Sequence, residues 1–180
     1  MEKGVFRTAG SGRILITGPE STGKTDLAGF LAARLQCILV EEYARGYIEK
    51  LDRPYTYGDV EKIARQQERE YLSAEKEKGW VIFDTWLIIT RVWFLMKYGR
   101  KPGWIDARIR EARFDLVLLC DTDIPWIPDP VRENGGDMRQ VLFRMYRQEL
   151  EDFQMNWKIV SGSGEERFRN ALKLIQTHVP

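Results

Sequence analysis

The stretch RILITGPESTGKT, Arg13 to Thr25, runs from an apolar segment through a glycine-bounded turn into a helical pattern. Arg13 to Thr17 reads as a strand, and Lys24 to about Leu35 reads as a helix. Between them, Gly18-Pro19-Glu20-Ser21-Thr22-Gly23-Lys24-Thr25 satisfies G-x-x-x-x-G-K-[ST] in the strand-to-helix setting that the motif requires. The physics of this loop is specific. Glycines permit a tight turn and close approach of backbone to phosphate. Successive N–H groups and the helix N-terminus then face the anion. Lys24 can neutralise charge on the β- and γ-phosphates, and the Thr25 hydroxyl can ligate Mg²⁺. Gly18, Glu20, Ser21, Thr22, Gly23, Lys24 and Thr25 are therefore the expected contacts to a nucleoside triphosphate. The competing reading is a chance match on an ordinary turn.

Working outward, short apolar runs alternate with longer periodic ones, the mark of an α/β sheet. Strands are expected at Cys37–Glu41, Trp80–Asp84, Asp115–Cys120 and Lys158–Ser161 in addition to the first. Helices are expected over 43–50, 58–78, 85–98, 105–113, 137–153 and 165–176. The strands are apolar with little alternation, as happens where helices cover both faces of a parallel sheet. Length suits one domain over 1–180, with 1–11 as an N-terminal extension and a lid near 128–140.

Charge and composition set limits. With 28 basic and 27 acidic residues the net charge is +1, so no bulk field draws the chain to nucleic acid or membrane. Neither a signal peptide nor a membrane-length apolar run is legible. The two cysteines, Cys37 and Cys120, lie in apolar runs and read as small buried hydrophobes in a reducing, cytoplasmic setting.

Several residues are candidates for chemistry beyond the phosphate loop. Asp84 ends an apolar strand, where a carboxylate can face the magnesium ion beside Thr25, or can cap a helix starting at Thr85. Glu41 and Glu42 end the second strand, where one carboxylate can accept a hydroxyl proton during attack on a γ-phosphate. Adjacent strand residues point opposite ways, so one of the two is expected in the site. Arg45 lies a helical turn on and can hold substrate. The Pro/Gly-bounded loop Asp129–Gly136 carries Arg132 and resembles a lid that brings an arginine onto the phosphoryl group, with Arg139 behind it. Gln66 and Gln67 read as a solvated helix face, although an amide can pair with a base edge. Of six tryptophans, Trp93, Trp104, Trp126 and Trp157 read as packing, whereas Trp86 follows the metal-site strand and can stack on a ring. The guanine-reading N-K-x-D pattern is missing from the sequence.

Taken in order, GPESTGKT, VEEYAR, YGDVEKIARQQ, VIFDT, KYG, DTDIPWIPDPVRENG and SGSGEERF resemble the nicotinamide riboside kinase domain of NadR-type proteins, from about Arg13 to Ile175. The resemblance implies a three-layer P-loop fold with a five-stranded parallel sheet in the order 2-3-1-4-5 and an arginine-bearing lid. It implies ATP and Mg²⁺ as cofactors, and phosphorylation of the ribose 5′-hydroxyl of nicotinamide riboside. By the same resemblance Lys24, Glu42, Asp84 and Arg132 are the catalytic positions, and Thr25 and Asp84 hold magnesium. Gly162, in the Ser161–Gly164 loop, borders the adenine, and Tyr55 and Gln67 lie on the substrate side. The partners implied are a nucleotide and a small nucleoside, with neither nucleic acid nor membrane, and the oligomeric state is left open. One departure stands out. Family members often carry DTD after the third strand, whereas this chain has Asp84-Thr85-Trp86, so Trp86 is expected to bear on which nucleoside is accepted.

Overall fold

The computed structural model describes residues 11–127 and 136–179. Its strands are β1 (Gly12–Thr17), β2 (Ile38–Val40), β3 (Trp80–Asp84), β4 (Leu116–Cys120) and β5 (Trp157–Val160). Its helices are α1 (Lys24–Leu35), α2 (Tyr43–Ile48), α3 (Tyr57–Ala74), α4 (Leu87–Tyr98), α5 (Ile105–Glu111), α6 (Asp137–Asp152) and α7 (Gly164–His178). All strand pairs are parallel, in the order β2-β3-β1-β4-β5, as expected.

The apolar strands are explained by coverage on both faces. One face places Leu15, Val81, Phe83, Val117 and Leu119 against α3, α4, α5 and α6. The other places Ile14, Ile16, Ile82, Leu118 and Val160 against α1 and α7. The period-2 pleat sorts alternate residues to opposite layers, so every residue of β3 and β4 must be apolar until the strand reaches its end. At that end stands Asp84.

Most element ends shift by a residue or two from those expected, and three of the differences have a clear physical reason. β2 is shorter than Cys37–Glu41 because it is an edge strand that pairs only with β3, from Ile38↔Val81 to Val40↔Phe83. α3 stops at Ala74, well before Gly79: the Glu77 N–H turns back to the Ala74 carbonyl (3.1 Å), which also accepts from the Arg13 guanidinium (2.8 Å), as does the Glu77 carbonyl beyond it (3.3 Å). α4 begins at Leu87 and not at Thr85, because Thr85 has φ +70°, a conformation outside any helix and costly for a β-branched residue. Asp84 is thus not a helix cap. The start of α3 follows its sequence signal closely: Thr56 and Asp59 form a reciprocal capping box.

Candidate functional site

The loop after β1 is shaped mainly by its own main chain. Gly18 has φ +141°, and a Cβ there would lie 2.9 Å from the Cys120 carbonyl oxygen. The glycine is required by the approach of β4 as much as by any ligand. Ser21 (φ +56°) and Gly23 (φ +70°) continue the turn in left-handed conformations. The Pro19 carbonyl accepts from the Thr22 hydroxyl and from Lys24 Nζ, both at 2.8 Å, which closes the loop into a ring. Glu20 is half-buried on it.

Two buried arginines grip the outside of this ring. Arg139, from the first turn of α6, donates from Nη2 to the carbonyls of Ser21 (3.1 Å) and Ile124 (3.0 Å). Arg167, from α7, donates from Nη1 to the Thr22 carbonyl at 2.6 Å. In a trans peptide the N–H points opposite to the C=O. Holding the carbonyls of Ser21 and Thr22 outward therefore aims the N–H groups of Thr22 and Gly23 inward, where an anion can be received.

The β3 end completes the centre. Thr25 Oγ1 donates to Asp84 Oδ2 at 2.6 Å. Asp84 is 2 % exposed, and its Oδ1 has no hydrogen-bond partner among the described residues. Burial pushes its carboxyl above the ordinary range. The Thr25 hydroxyl opposes that shift, Glu42 adds to it, Lys24 opposes it, and Glu41 adds again. A buried carboxylate oxygen without a donor, beside a hydroxyl and a lysine, is a hard oxygen site that suits Mg²⁺, which takes one or two carboxylates and otherwise waters and phosphates.

Glu42 stands at the N-cap position of α2, its side chain making no capping bond. Glu41 and Glu42 both line one cleft of about 610 Å³, with Tyr43, Tyr47, Lys50 and Glu70. The two are therefore not separated onto opposite faces as strand neighbours would be. β2 ends at Val40, so strand alternation no longer governs them. Arg45, half-buried, lies 3.4 Å from Glu49 on α2. α2 is fixed to α3 by Asp59, which accepts from Arg53 (2.7 and 3.0 Å), Thr56 and Tyr47. These bonds hold the Asp59 carboxyl well below the ordinary carboxylate range, the Arg53 bond first among them.

Two substrate-side expectations are overturned. Trp86 is 1 % exposed and cannot stack on a ligand. Its ring packs against Tyr71 and Phe114, both at 5.1 Å between centroids, and its Nε1 donates to the Gln67 carbonyl at 3.2 Å. The left-handed Thr85 turns the chain so that position 86 enters the core. Gln67 is not a solvated face. It is 3 % exposed, and its amide oxygen accepts from the Thr90 hydroxyl at 3.1 Å, which ties α3 to α4 beneath the site. Tyr55 is partly buried, accepts from Trp93 Nε1 at 3.0 Å and lies under Lys97 Nζ. Arg132 and residues 128–135 of the expected lid lie outside the described residues.

Gly162 (φ +100°) follows β5, its N–H donating to Asp123 and its carbonyl accepting from Arg167 Nε at 2.7 Å. Arg167 and Asp123 were not legible as site residues. Arg167 sits behind two glutamates at a helix start and looks like a solvated charge, yet it is 2 % exposed. Tyr146 is buried in the core on α6: burial raises its phenol pKa, and the charges of Glu20 and Glu42 add to the shift.

Among the described residues no helix is long and apolar enough to cross a membrane. Cys37 and Cys120 are free thiols.

Comparison with known proteins gives the same picture. The family model described as AAA domain matches residues 13–167. The trifunctional NAD biosynthesis/regulator protein NadR is 33 % identical in Salmonella typhimurium over 73 % of this chain and 33 % of that protein. In Escherichia coli it is 30 % identical over 91 % of this chain and 42 % of that protein. The chain thus spans less than half the length of these curated relatives. Among solved structures, a NadR protein in complex with NR superposes with a TM-score of 0.75 at 22 % identity, covering 94 % of this chain and 51 % of that one. Thymidylate kinase from Ehrlichia chaffeensis superposes at 0.66 and 15 % identity, covering 93 % and 98 %. With the phosphate loop and the strand-end aspartate both inside the matched span, this chain belongs to the AAA-domain family of P-loop proteins.

Proposed function

We propose that the chain is an ATP-dependent kinase that phosphorylates the ribose 5′-hydroxyl of nicotinamide riboside, in the cytoplasm. The observation that carries a kinase reading is the pairing of Thr25 with the buried Asp84 at 2.6 Å, with Glu42 and Glu41 near enough for their charges to act on that carboxyl. A phosphate loop that faces strand-end carboxylates has a donor half and an acceptor half. The NadR relatives support nicotinamide riboside as the first acceptor to try.

Lys24 is placed to leave Pro19 and bind β- and γ-phosphate oxygens, while the aimed N–H groups of Thr22 and Gly23 hold the same anion. Thr25 and Asp84 would hold Mg²⁺, which supplies charge neutralisation when bound. Glu42 or Asp84 orients the 5′-hydroxyl and accepts its proton. Arg132 and its loop are assigned to phosphoryl-charge stabilisation on the sequence alone. Positioning and preorganised charge supply the rate, as in phosphoryl transfer generally.

A nucleoside-monophosphate acceptor is the main alternative within this fold. The cleft beside α2 disfavours it, since Glu41, Glu42 and Glu70 face a single lysine, Lys50, and would repel a substrate phosphate. Incubating the protein with ATP-Mg²⁺ and a panel of nucleosides and nucleoside monophosphates, with product mass as readout, tests the assignment. The expected product is nicotinamide mononucleotide. Turnover of another nucleoside alone would reassign the acceptor, and ATP binding without any product would leave a non-catalytic module.

A further inference from the structure

In-line transfer places donor and acceptor on opposite sides of the γ-phosphate. The acceptor-side carboxylates Glu42 and Asp84 follow β2 and end β3. The base of the donor must then lie over β4 and β5, on the far side of β1. There the chain offers the loop Ser161–Gly164, and one side chain ties that loop to the phosphate loop.

That side chain is Arg167. Its Nε donates to the Gly162 carbonyl (2.7 Å), its Nη1 to the Thr22 carbonyl (2.6 Å), and its Nη2 to the Asp121 carbonyl (3.2 Å) and to the Asp123 carboxylate. The other Asp123 oxygen accepts the Gly162 N–H. The two peptide units that flank the Gly162 Cα are thus gripped, one by an anion and one by a cation that also grip each other. No side chain fits at 162: φ is +100°, and a Cβ would lie 3.0 Å from Glu166 Cγ and 3.2 Å from the Arg167 nitrogen. Ser161 is fixed in turn, its hydroxyl to Asp121 at 2.8 Å and its carbonyl to Asn170 at 3.0 Å. A guanidinium that is 2 % exposed and distributed over four acceptors on three segments is a rigid joint, and a lysine cannot reproduce its forked geometry.

We propose that Arg167, braced by Asp123, is a positioning residue that sets the Ser161–Gly164 loop against the phosphate loop and thereby determines how much the donor's base adds to its affinity. The inference rests on the donor reading above, and its test separates the two. Binding of ATP-Mg²⁺ and of tripolyphosphate-Mg²⁺ is measured by calorimetry for the wild type, Arg167→Lys and Asp123→Asn, with circular dichroism melts alongside. Tripolyphosphate engages the phosphate loop without a base. Wild type should bind ATP at least about tenfold more tightly, the scale of one well-placed hydrogen bond to a fixed group. In both variants that advantage should shrink to below about threefold; Arg167→Lys also weakens tripolyphosphate, because Arg167 holds the Thr22 carbonyl, whereas Asp123→Asn acts mainly on ATP. A general loss of stability would weaken both ligands together and leave the ratio unchanged. Variants that keep the wild-type ratio, or a wild type with no ATP advantage, would overturn the inference. Should Arg167→Lys melt out, Asp123→Asn decides, since Asp123 is exposed and its amide keeps the volume. A wild type that binds neither ligand would overturn the donor reading itself.

Discussion

Replacing Trp86 by phenylalanine separates a core residue from a substrate-binding one, because the two roles move different observables. The indole is 1 % exposed and packs against Tyr71 and Phe114. Phenylalanine retains the aromatic contacts but loses the 3.2 Å bond from Nε1 to the Gln67 carbonyl. That bond contributes about 1 kcal/mol net. The space vacated by the smaller ring adds about 1 kcal/mol as a partly relaxed cavity. The sum of about 2 kcal/mol lowers Tm by roughly 4–8 °C for a chain of this size. The acceptor KM and the ATP KM should stay within about twofold, since a buried ring makes no ligand contact to lose. Thermal melts and urea titration give the first number, and saturation kinetics give the second. An acceptor KM raised more than about fivefold with Tm unchanged would place the indole on the ligand and refute the argument.

Further outcomes follow from the charges. Burial raises the Asp84 pKa, so the native state holds that proton more tightly than the unfolded chain, and stability falls as pH rises from the ordinary carboxylate range through the native pKa. Asp84→Asn removes that burden. At pH 7 it should raise Tm of the nucleotide-free protein while cutting turnover by about a hundredfold or more; lowered Tm would contradict the buried-charge account. Asp59 is the opposite case. Its depressed pKa contributes stability that is present above the ordinary carboxylate range and is lost as pH falls through the native pKa. Asp59→Asn should lower Tm at pH 7, and the gap to wild type should narrow below about pH 4. Burial lifts both the Cys37 and Cys120 thiols to about 11. Alkylation at pH 8 should therefore be at least about a hundredfold slower in the native protein than in denaturant, and fast labelling of Cys120 would mean that β4 opens readily.

The site was legible where its signals are local in sequence. The phosphate loop needs a strand, a glycine-bounded turn and a helix within one short stretch, and each of these obeys rules of near neighbours. Asp84 was legible for the same reason, as a charge at the end of an apolar run. Helix ends were less so. α3 was expected to run on to about Lys78, but Arg13, 61 positions away in sequence, binds the Ala74 carbonyl where the helix ends. The start of α4 was misplaced because nothing in the residue type of Thr85 announces φ +70°.

By itself the sequence determined the α/β alternation, the phosphate loop with Lys24 and Thr25, and the acidic ends of the second and third strands. These depend on periodicity and on contacts along the chain. The tertiary structure decided which polar and aromatic side chains face inward. It buried Trp86 and Gln67, which had looked available to substrate, and it buried Arg167, which had looked like a surface charge. The reason is that burial is a property of partners distant along the chain. Arg167 meets Thr22 from 145 positions away, and Trp86 meets Gln67 across two helices. Residue type constrains what a side chain can bond, but only the packing of α3, α4 and α7 on the sheet supplies the partner.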